Sequence, residues 1–401
     1  VNFMLKFSGN NYSDYQWFSA RINPTYDSHT ANKISMTITS KGTLGFNDYP
    51  DNQEGVGFTF RDENLMFEGA FMYGTSETNV MDAARETYYQ RNDFRIIDQF
   101  KILKTDGDEI GTAIFDDYNF GEGRLGIETY LKSYSFSQSP YDNFIILVMN
   151  LKNTTTKDIN GLYAGFFFDW DIPPNDATKD SAAYDINDNF GYAYCVNKSL
   201  STNYAAAALI SSDKYGFYPI YNEITLFDIE AGGFTKKDKW ISLSSGVVKN
   251  GIGPADVSFT ISGGPFNIPA GETLPVAFAL AAGEDLNEIR KAIRLSREKY
   301  ISLISDVSNE EPLPKEFALY QNYPNPFNSS TIISYQISKS SQVILKVYDA
   351  LGREIKTLVN EPKEPGRYTI EFDASELSSG VYFYALRTDY NFFVKKMVLM
   401  K

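Results

Sequence analysis

The chain holds one cysteine, Cys195, and one histidine, His29, among 401 residues. A single thiol excludes an intramolecular disulfide, and its setting, Gly191-Tyr192-Ala193-Tyr194-Cys195-Val196, reads as a strand that buries an inert sulfur. A single histidine leaves His/Cys zinc sites short of ligands and supplies only one base for a Ser-His-Asp nucleophile. That residue lies in Tyr26-Asp27-Ser28-His29-Thr30, which reads as a solvated polar loop, and no Gly-x-Ser-x-Gly elbow accompanies it. No Gly-x-x-x-x-Gly-Lys-Ser/Thr loop occurs, so nucleotide binding has no support. No apolar run approaches the length of about 18 residues that a membrane-spanning helix needs. Val1 opens neither a basic n-region nor an apolar h-region, so the sequence reads as a processed form or as a piece whose N-terminal part lies outside it.

What is abundant is acid and aromatic rings. The net charge is −14, with aromatics at 15% of residues, 28 Tyr and 30 Phe among them. The acid is unevenly placed: residues 315–401 carry 11 basic and 9 acidic side chains, leaving 26 basic and 42 acidic in the rest. A body of net −16 argues against nucleic acid and anionic membranes as partners. Tyrosine and phenylalanine suit pleated surfaces, and short apolar runs broken by Gly, Asn and Asp recur from Lys33 onward, among them Ile34–Thr39, Leu65–Tyr73, Phe144–Leu151 and Leu162–Phe168. Such spacing indicates a β-sandwich, with Asn153–Asp158 expected to be the polar loop of a hairpin. One helix is expected over Asp285–Ser305, where Leu286, Ile289, Ile293, Tyr300, Leu303 and Ile304 fall near helical spacing, capped by Asp285 with Glu288. The polar, proline-stiffened Ser308-Asn309-Glu310-Glu311-Pro312-Leu313-Pro314 has linker composition.

The fold class expected is therefore all-β, with boundaries at 1–32 for terminal strands of a preceding or truncated domain, 33–305 for a large antiparallel sandwich with one helix near its end, 306–316 for a linker, and 317–401 for a small immunoglobulin-like sandwich. In the last segment, Ile332–Gln336, Val343–Tyr348, Arg367–Phe372, Val381–Arg387 and Phe392–Leu399 read as strands, with turns at Asp349-Ala350-Leu351-Gly352 and Ser378-Ser379-Gly380. Its opening, Phe317-Ala318-Leu319-Tyr320-Gln321-Asn322-Tyr323-Pro324-Asn325-Pro326-Phe327-Asn328, is stiffened by two prolines.

That opening, followed in order by Gly352, Gly380 and the closing Lys395-Lys396-Met397-Val398-Leu399, resembles the type A C-terminal sorting domain of the type IX (Por) secretion system of Gram-negative bacteria. The resemblance implies that Tyr323, Pro324, Asn325, Pro326, Phe327, Asn328, Gly352, Gly380, Lys395 and Lys396 form the sorting motif. It implies a type IX translocon and a sortase-like peptidase as partners, attachment to lipopolysaccharide, and a secreted or outer-surface location. Ser329 departs from the family, where proline is common, and is expected to loosen the segment. In the body, Gly45–Asp51, Leu65–Ala70, Asn79–Arg85 and Leu162–Ile172 resemble the region downstream of the catalytic domain in secreted subtilisin-like serine peptidases. That resemblance implies an accessory region without catalytic residues of its own.

One acidic constellation stands out: Asp169, Asp171, Asp176, Asp180 and Asp185 follow an apolar strand. Residues two apart on a strand share a face, and crowded carboxylates call for a cation or hydrogen bonds. Calcium, which accepts irregular oxygen ligation, is the cofactor this pattern suggests, although no EF-hand frame is present. A solvated, turn-rich loop is the plainer reading. A second set, Asp106-Gly107-Asp108-Glu109 with Asp116-Asp117, reads as a hairpin turn with a polar rim. The function expected is a non-catalytic accessory region carrying a cleavable sorting signal. The alternatives are a carbohydrate-binding or adhesin-like module that takes a polysaccharide or protein ligand, with Trp170, Tyr184 and Tyr218 as stacking rings, and a hydrolase acting through Asp169 and Asp171.

Overall fold

Period-two alternation is converted into antiparallel sheets throughout. The computed structural model describes residues 2–9, 12–19, 25–86, 89–174, 176–222, 233–248, 251–307, 317–322 and 325–400. The chain divides into two units, Val1–Ile301 and Ser302–Lys401.

Unit 1 opens with a hairpin of Asn2–Gly9 and Tyr12–Ser19 that forms its own two-stranded sheet. Two large sheets follow. The first runs, edge to edge, Arg95–Thr105, Asp108–Asp116, Ile127–Ser135, Phe144–Asn153, Thr273–Gly283, Tyr204–Leu209, Phe190–Cys195, Asp180–Asp185 and Gly251–Ala255. The second runs Tyr215–Tyr221, Val257–Ile268, Ile159–Trp170, Met66–Ser76, Thr43–Leu44, Ile34–Thr39, Phe58–Phe60 and Glu63–Asn64, with Tyr26–His29 beside Ile34–Thr39 and Asn79–Asp82 beside Met66–Ser76. Inward side chains from both sheets build one core; Phe166 of the second meets Phe278 of the first edge to face at 5.1 Å.

Several strands are apolar on both faces because helices cover the outer ones. The helix Lys236–Ser244 packs Leu243 with Phe167, Ala70, Met72 and Ile220 on the outside of the second sheet. The helix Leu286–Val307 buries Ile289, Ala292, Ile293 and Tyr300. Its Arg290 and Arg294 bind Asp185 and Asp188 at 2.7 and 2.8 Å, which ties it to the first sheet. Asp285 accepts the N–H groups of Asn287 and Glu288 at 2.7 and 3.0 Å, the expected cap.

Four expectations need correction. Asn153–Asp158 does not close a hairpin within one sheet: Phe144–Asn153 belongs to the first sheet and Ile159–Trp170 to the second, so the chain crosses the sandwich there. Burial demanded by both flanking strands is met by opposite walls of one core, and the Asn153 amide holds the crossing by donating to the carbonyls of Lys157 and Ile268. A second helix, Lys236–Ser244, was not expected, since its only apolar signal is a short run; a capping box of Thr235 and Asp238 starts it. The body sheet begins at Tyr26, ahead of residue 33, because Tyr26–His29 pairs with Ile34–Thr39. The helix that starts at Leu286 continues to Val307, past the start expected for the linker at 306, and residues 308–316 lie outside the described residues.

Unit 2 sets a sheet of Ala318–Leu319, Ser330–Ile337 and Gly366–Asp373 against one of Glu354–Lys363, Ser341–Asp349, Gly380–Arg387 and Phe392–Leu399. Ile333, Tyr335, Ile337, Val343, Leu345, Val347, Tyr382, Tyr384, Leu386, Met397 and Leu399 fill the space between them. The strand Glu354–Lys363 escapes the sequence pattern because it is an exposed edge whose side chains are mostly charged or polar.

Candidate functional site

In unit 2 the sorting-motif residues gather on the last strand. Asn325 accepts the Val398 N–H at 2.9 Å and its amide reaches the Lys396 carbonyl at 3.5 Å. Phe327 donates its N–H to the Val398 carbonyl at 3.0 Å, and its own carbonyl accepts Met400 N–H at 2.9 Å. Its ring is buried in the core beside Phe372. Upstream, Gln321 donates to the Lys396 carbonyl at 2.7 Å, and Asn322 donates its N–H to the Tyr384 hydroxyl, which in turn donates to the Tyr320 carbonyl. The lead-in segment is thus stitched over half of an open sheet edge, supplying partners to backbone groups that would otherwise face water. Tyr323 and Pro324 lie outside the described residues.

Asn328 closes a tight turn by accepting Ser330 N–H at 2.9 Å. The intervening Ser329 has φ of 60°, a conformation closed to proline, whose ring holds φ negative. The departure at Ser329 therefore fits this backbone rather than loosening it. Gly352 takes φ of 79° in the turn that Asp349 ties by accepting the N–H groups of Leu351 and Arg353. Gly380 needs no such freedom: it pairs in register with Leu399, and a side chain there would meet only ordinary contacts, with Ser378 and Tyr382 at 3.9 and 4.0 Å. Lys395 and Lys396 lie exposed on the final strand, and no salt bridge to either is present among the described residues.

In unit 1 three of the five singled-out aspartates come together. Asp169, on the outer face of its strand, receives Arg85 Nη2 (a close contact), Asn222 Nδ2 at 2.8 Å and Ser258 Oγ at 2.9 Å. Arg85 also binds Glu68 at 2.6 Å and lies against the rings of Tyr49, Phe67 and Phe167. Asp171 stands just past the end of that strand. Burial, reinforced by Asp169 and Asp256, pushes its carboxyl up to about 8. Burial likewise pushes Asp180 up to about 10, against a hydrogen bond from Ile172 N–H and with the help of Asp171, Asp169 and Asp256. Its Oδ1 accepts that N–H at 2.9 Å, and its buried Oδ2 has no hydrogen-bond partner among the described residues. Asp176 is solvent-facing beside Thr178 and Lys179. Asp185 stands at the far end of the strand Asp180–Asp185, roughly 16 Å along at strand rise, where Arg290 holds it. Among the described residues no three His, Cys, Asp or Glu side chains form a group that could hold a metal ion. Arg85, Glu68, Asn222, Ser258 and Asp256 carry no sequence signal for this cluster, being brought in by strand register.

His29 overturns its loop reading. It ends the strand Tyr26–His29 fully buried, with Nε2 2.7 Å from Ser133 Oγ and Nδ1 3.2 Å from Glu109 Oε2. The connectivity is that of a Ser-His-acid triad, yet Ser133 lies inside the strand Ile127–Ser135 with no exposed surface, so no substrate carbonyl can reach it. Burial raises Glu109, but hydrogen bonds from His29, Lys104 and Thr30 N–H outweigh it and bring the carboxyl to about 2. The trio spans both sheets of unit 1 as a polar tie in the core. Asp106 and Gly107 do form the expected hairpin turn, both at positive φ.

Two of the three proposed stacking rings are withdrawn from the surface: Trp170 is fully buried between Phe58, Phe168 and Phe259, and Tyr184 is buried and stacks on Phe217 at 5.2 Å. Tyr218 is half-buried beside the helix Lys236–Ser244. Cys195 is buried, as its strand setting suggested, 3.4 Å from the Asn197 carbonyl.

Three solved structures show partial likeness. A polysaccharide lyase aligns over 96% of this chain and 47% of its own at 8% identity and a TM-score of 0.30. Dimeric latent PorU from Porphyromonas gingivalis aligns over 92% of this chain and 31% of its own, at 10% identity and a TM-score of 0.17. PorZ, a surface component of the type IX secretion system of the same organism, aligns over 93% and 51%, at 10% and 0.17. The chain thus spans about half the length of two of them and less of the third. No curated protein sequence matches it. The family model described as secretion system C-terminal sorting domain matches residues 321–400. Those residues, with Asn325–Phe327 seated on the final strand of a two-sheet sandwich, are a secretion system C-terminal sorting domain, and the chain that carries it is a secreted or cell-surface protein.

Proposed function

We propose that the chain is cargo of type IX secretion, in which unit 1 is a non-catalytic passenger and residues 317–401 are the removable address. The observation that carries this reading is the family match over 321–400 on a sandwich whose lead-in motif is part of its fold. The translocon would read the folded tail, and a sortase-like peptidase would then separate it from the passenger and join the passenger to lipopolysaccharide. Unit 1 supports a passive role. Asp169 is neutralised by Arg85 and two further donors, and the one Ser-His-acid trio is sealed from solvent. Placement downstream of a subtilisin-like catalytic domain rests on the motif resemblance at Gly45–Asp51, Asn79–Arg85 and Leu162–Ile172. The test is export of the full chain, behind an inner-membrane leader, in a type IX-competent host. Intact protein reaches the surface or medium, and deletion of residues 317–401 leaves it periplasmic; equal export of both would end the proposal.

A surface-binding module is the second reading. A cleft of about 580 Å³ on unit 1, lined by Lys33, Arg61, Asp142, Asn143, Glu284 and Lys291 among others, offers polar groups to a hydroxyl-rich or peptide ligand. A glycan array and titration with surface polysaccharide check it, and Arg61→Ala should weaken any binding found.

A further inference from the structure

The two edges of the four-stranded sheet in unit 2 are finished differently. The strand Glu354–Lys363 is guarded: its pairing with Ser341–Asp349 is interrupted by two register shifts, and Glu354, Lys356, Glu361, Pro362 and Lys363 line it. The opposite edge, Phe392–Leu399, pairs with Gly380–Arg387 through eight consecutive registers without a shift and contains no proline. Its second half is covered by the lead-in segment, through the Lys396 carbonyl, Val398 N–H and Val398 carbonyl. Those contacts show that the even-numbered residues turn their backbone groups outward. By strand alternation the same holds for Phe392 and Val394, whose outward groups meet no partner among the described residues. Both side chains are exposed, Phe392 at 66% and Val394 at 50%. Arg387, opposite Phe392, and Lys396, opposite Phe383, are exposed on the same sheet face, with no salt bridge to either among the described residues.

We propose that the open outward edge at Phe392 and Val394 is where the secretion machinery engages this tail, by adding an extended protein segment as a further antiparallel strand. The proposal rests on the sorting reading above and names its contact surface. The edge fixes the chemistry of the partner. Backbone amide and carbonyl groups give the affinity, apolar side chains sit against Phe392 and Val394, and carboxylates answer Arg387 and Lys396. Other occupants of such an edge, a second copy of this chain or an anionic lipid surface, predict different results.

The test uses the full chain behind an inner-membrane leader in a type IX-competent host, with two variants. Val394→Pro removes one outward N–H without breaking the ladder to Gly380–Arg387, since proline is tolerated where its nitrogen faces solvent. The pair Arg387→Glu and Lys396→Glu leaves the backbone intact and reverses the charge. Melting temperatures are recorded for both. The expected result is a drop of about tenfold or more in surface and medium protein for each variant that melts within about 2 °C of the parent, with the protein held in the periplasm. Should Val394→Pro melt early, the charge-reversed pair decides alone. Export within twofold of the parent by a folded variant overturns the docking edge while leaving the sorting reading intact. Retention of the unmutated chain overturns the sorting reading, and the edge with it. If purified parent chain dimerises and Val394→Pro does not, while both are exported equally, the edge serves self-association; if charge reversal abolishes binding to anionic vesicles and Val394→Pro does not, with export again unchanged for Val394→Pro, the occupant is a lipid surface. Either result rejects the strand-addition proposal.

Discussion

Asp171, half-buried, and Asp180, fully buried, are carboxyls that hold their protons. Their carboxyls are pushed to about 8 and about 10 in the folded chain, against an ordinary value of 3.8. Between those limits the unfolded chain releases protons that the folded chain keeps, so their contribution to stability is full below about pH 4. It falls as pH rises, through about 8 for Asp171 and about 10 for Asp180. Asp180→Asn keeps an acceptor for Ile172 N–H and needs no proton. It should stabilise unit 1 at pH 8 by about 1–3 kcal/mol and flatten the decline above pH 5, as read by melting across a pH series. Glu109 has the opposite sign. Held near 2 against an ordinary 4.5, it supports the fold above about pH 4.5, and that support is lost as pH falls toward 2. His29→Ala, which leaves Glu109 and Ser133 without their buried partner, should cost unit 1 about 2–4 kcal/mol, while a fluorophosphonate probe should leave Ser133 of the folded parent unlabelled. Labelling would show that the trio is reachable and reopen the hydrolase alternative.

At the scale of elements, the lead-in segment acts as a strap rather than a spacer. Asn325→Ala leaves Val398 N–H without its acceptor and should destabilise unit 2 by about 1–2 kcal/mol; Phe327→Ala opens a core cavity and should cost about 3–5 kcal/mol. Ser329→Pro, toward the family's common residue, should destabilise rather than stiffen, because φ of 60° is closed to proline. Denaturant titration of each variant checks the order, and a neutral Ser329→Pro would mean that this turn takes another backbone in solution. Strands read by alternation, such as Ile332–Gln336 and Val343–Tyr348, were legible from sequence because one face of each is dry. Glu354–Lys363 was not, since an edge in solvent has no dry face to pattern. Lys236–Ser244 was missed for a related reason: its packing face is short, and its partners come from the outer surface of a sheet.

For the whole molecule, two separate cores predict two unfolding events. Differential calorimetry of the full chain should show two transitions, the smaller one shifted by Phe327→Ala and the larger by His29→Ala; one transition moved equally by both would mean that the units unfold as one.

The sequence by itself determined the all-β class, a helix over about 285–305 and the sorting tail, because each is written in local periodicity or in a motif contiguous along the chain. It also singled out Asp169, Asp171, Asp176, Asp180 and Asp185 as a crowded acidic stretch, without saying which of them meet. Only the tertiary structure decided that. Arg85 and Asn222 reach Asp169 from positions 84 and 53 residues away, and His29 finds Glu109 and Ser133 80 and 104 residues on. Those partnerships depend on which strands of two sheets face each other across a core. Register over such distances is set by the burial of many side chains at once, and no local spacing records it.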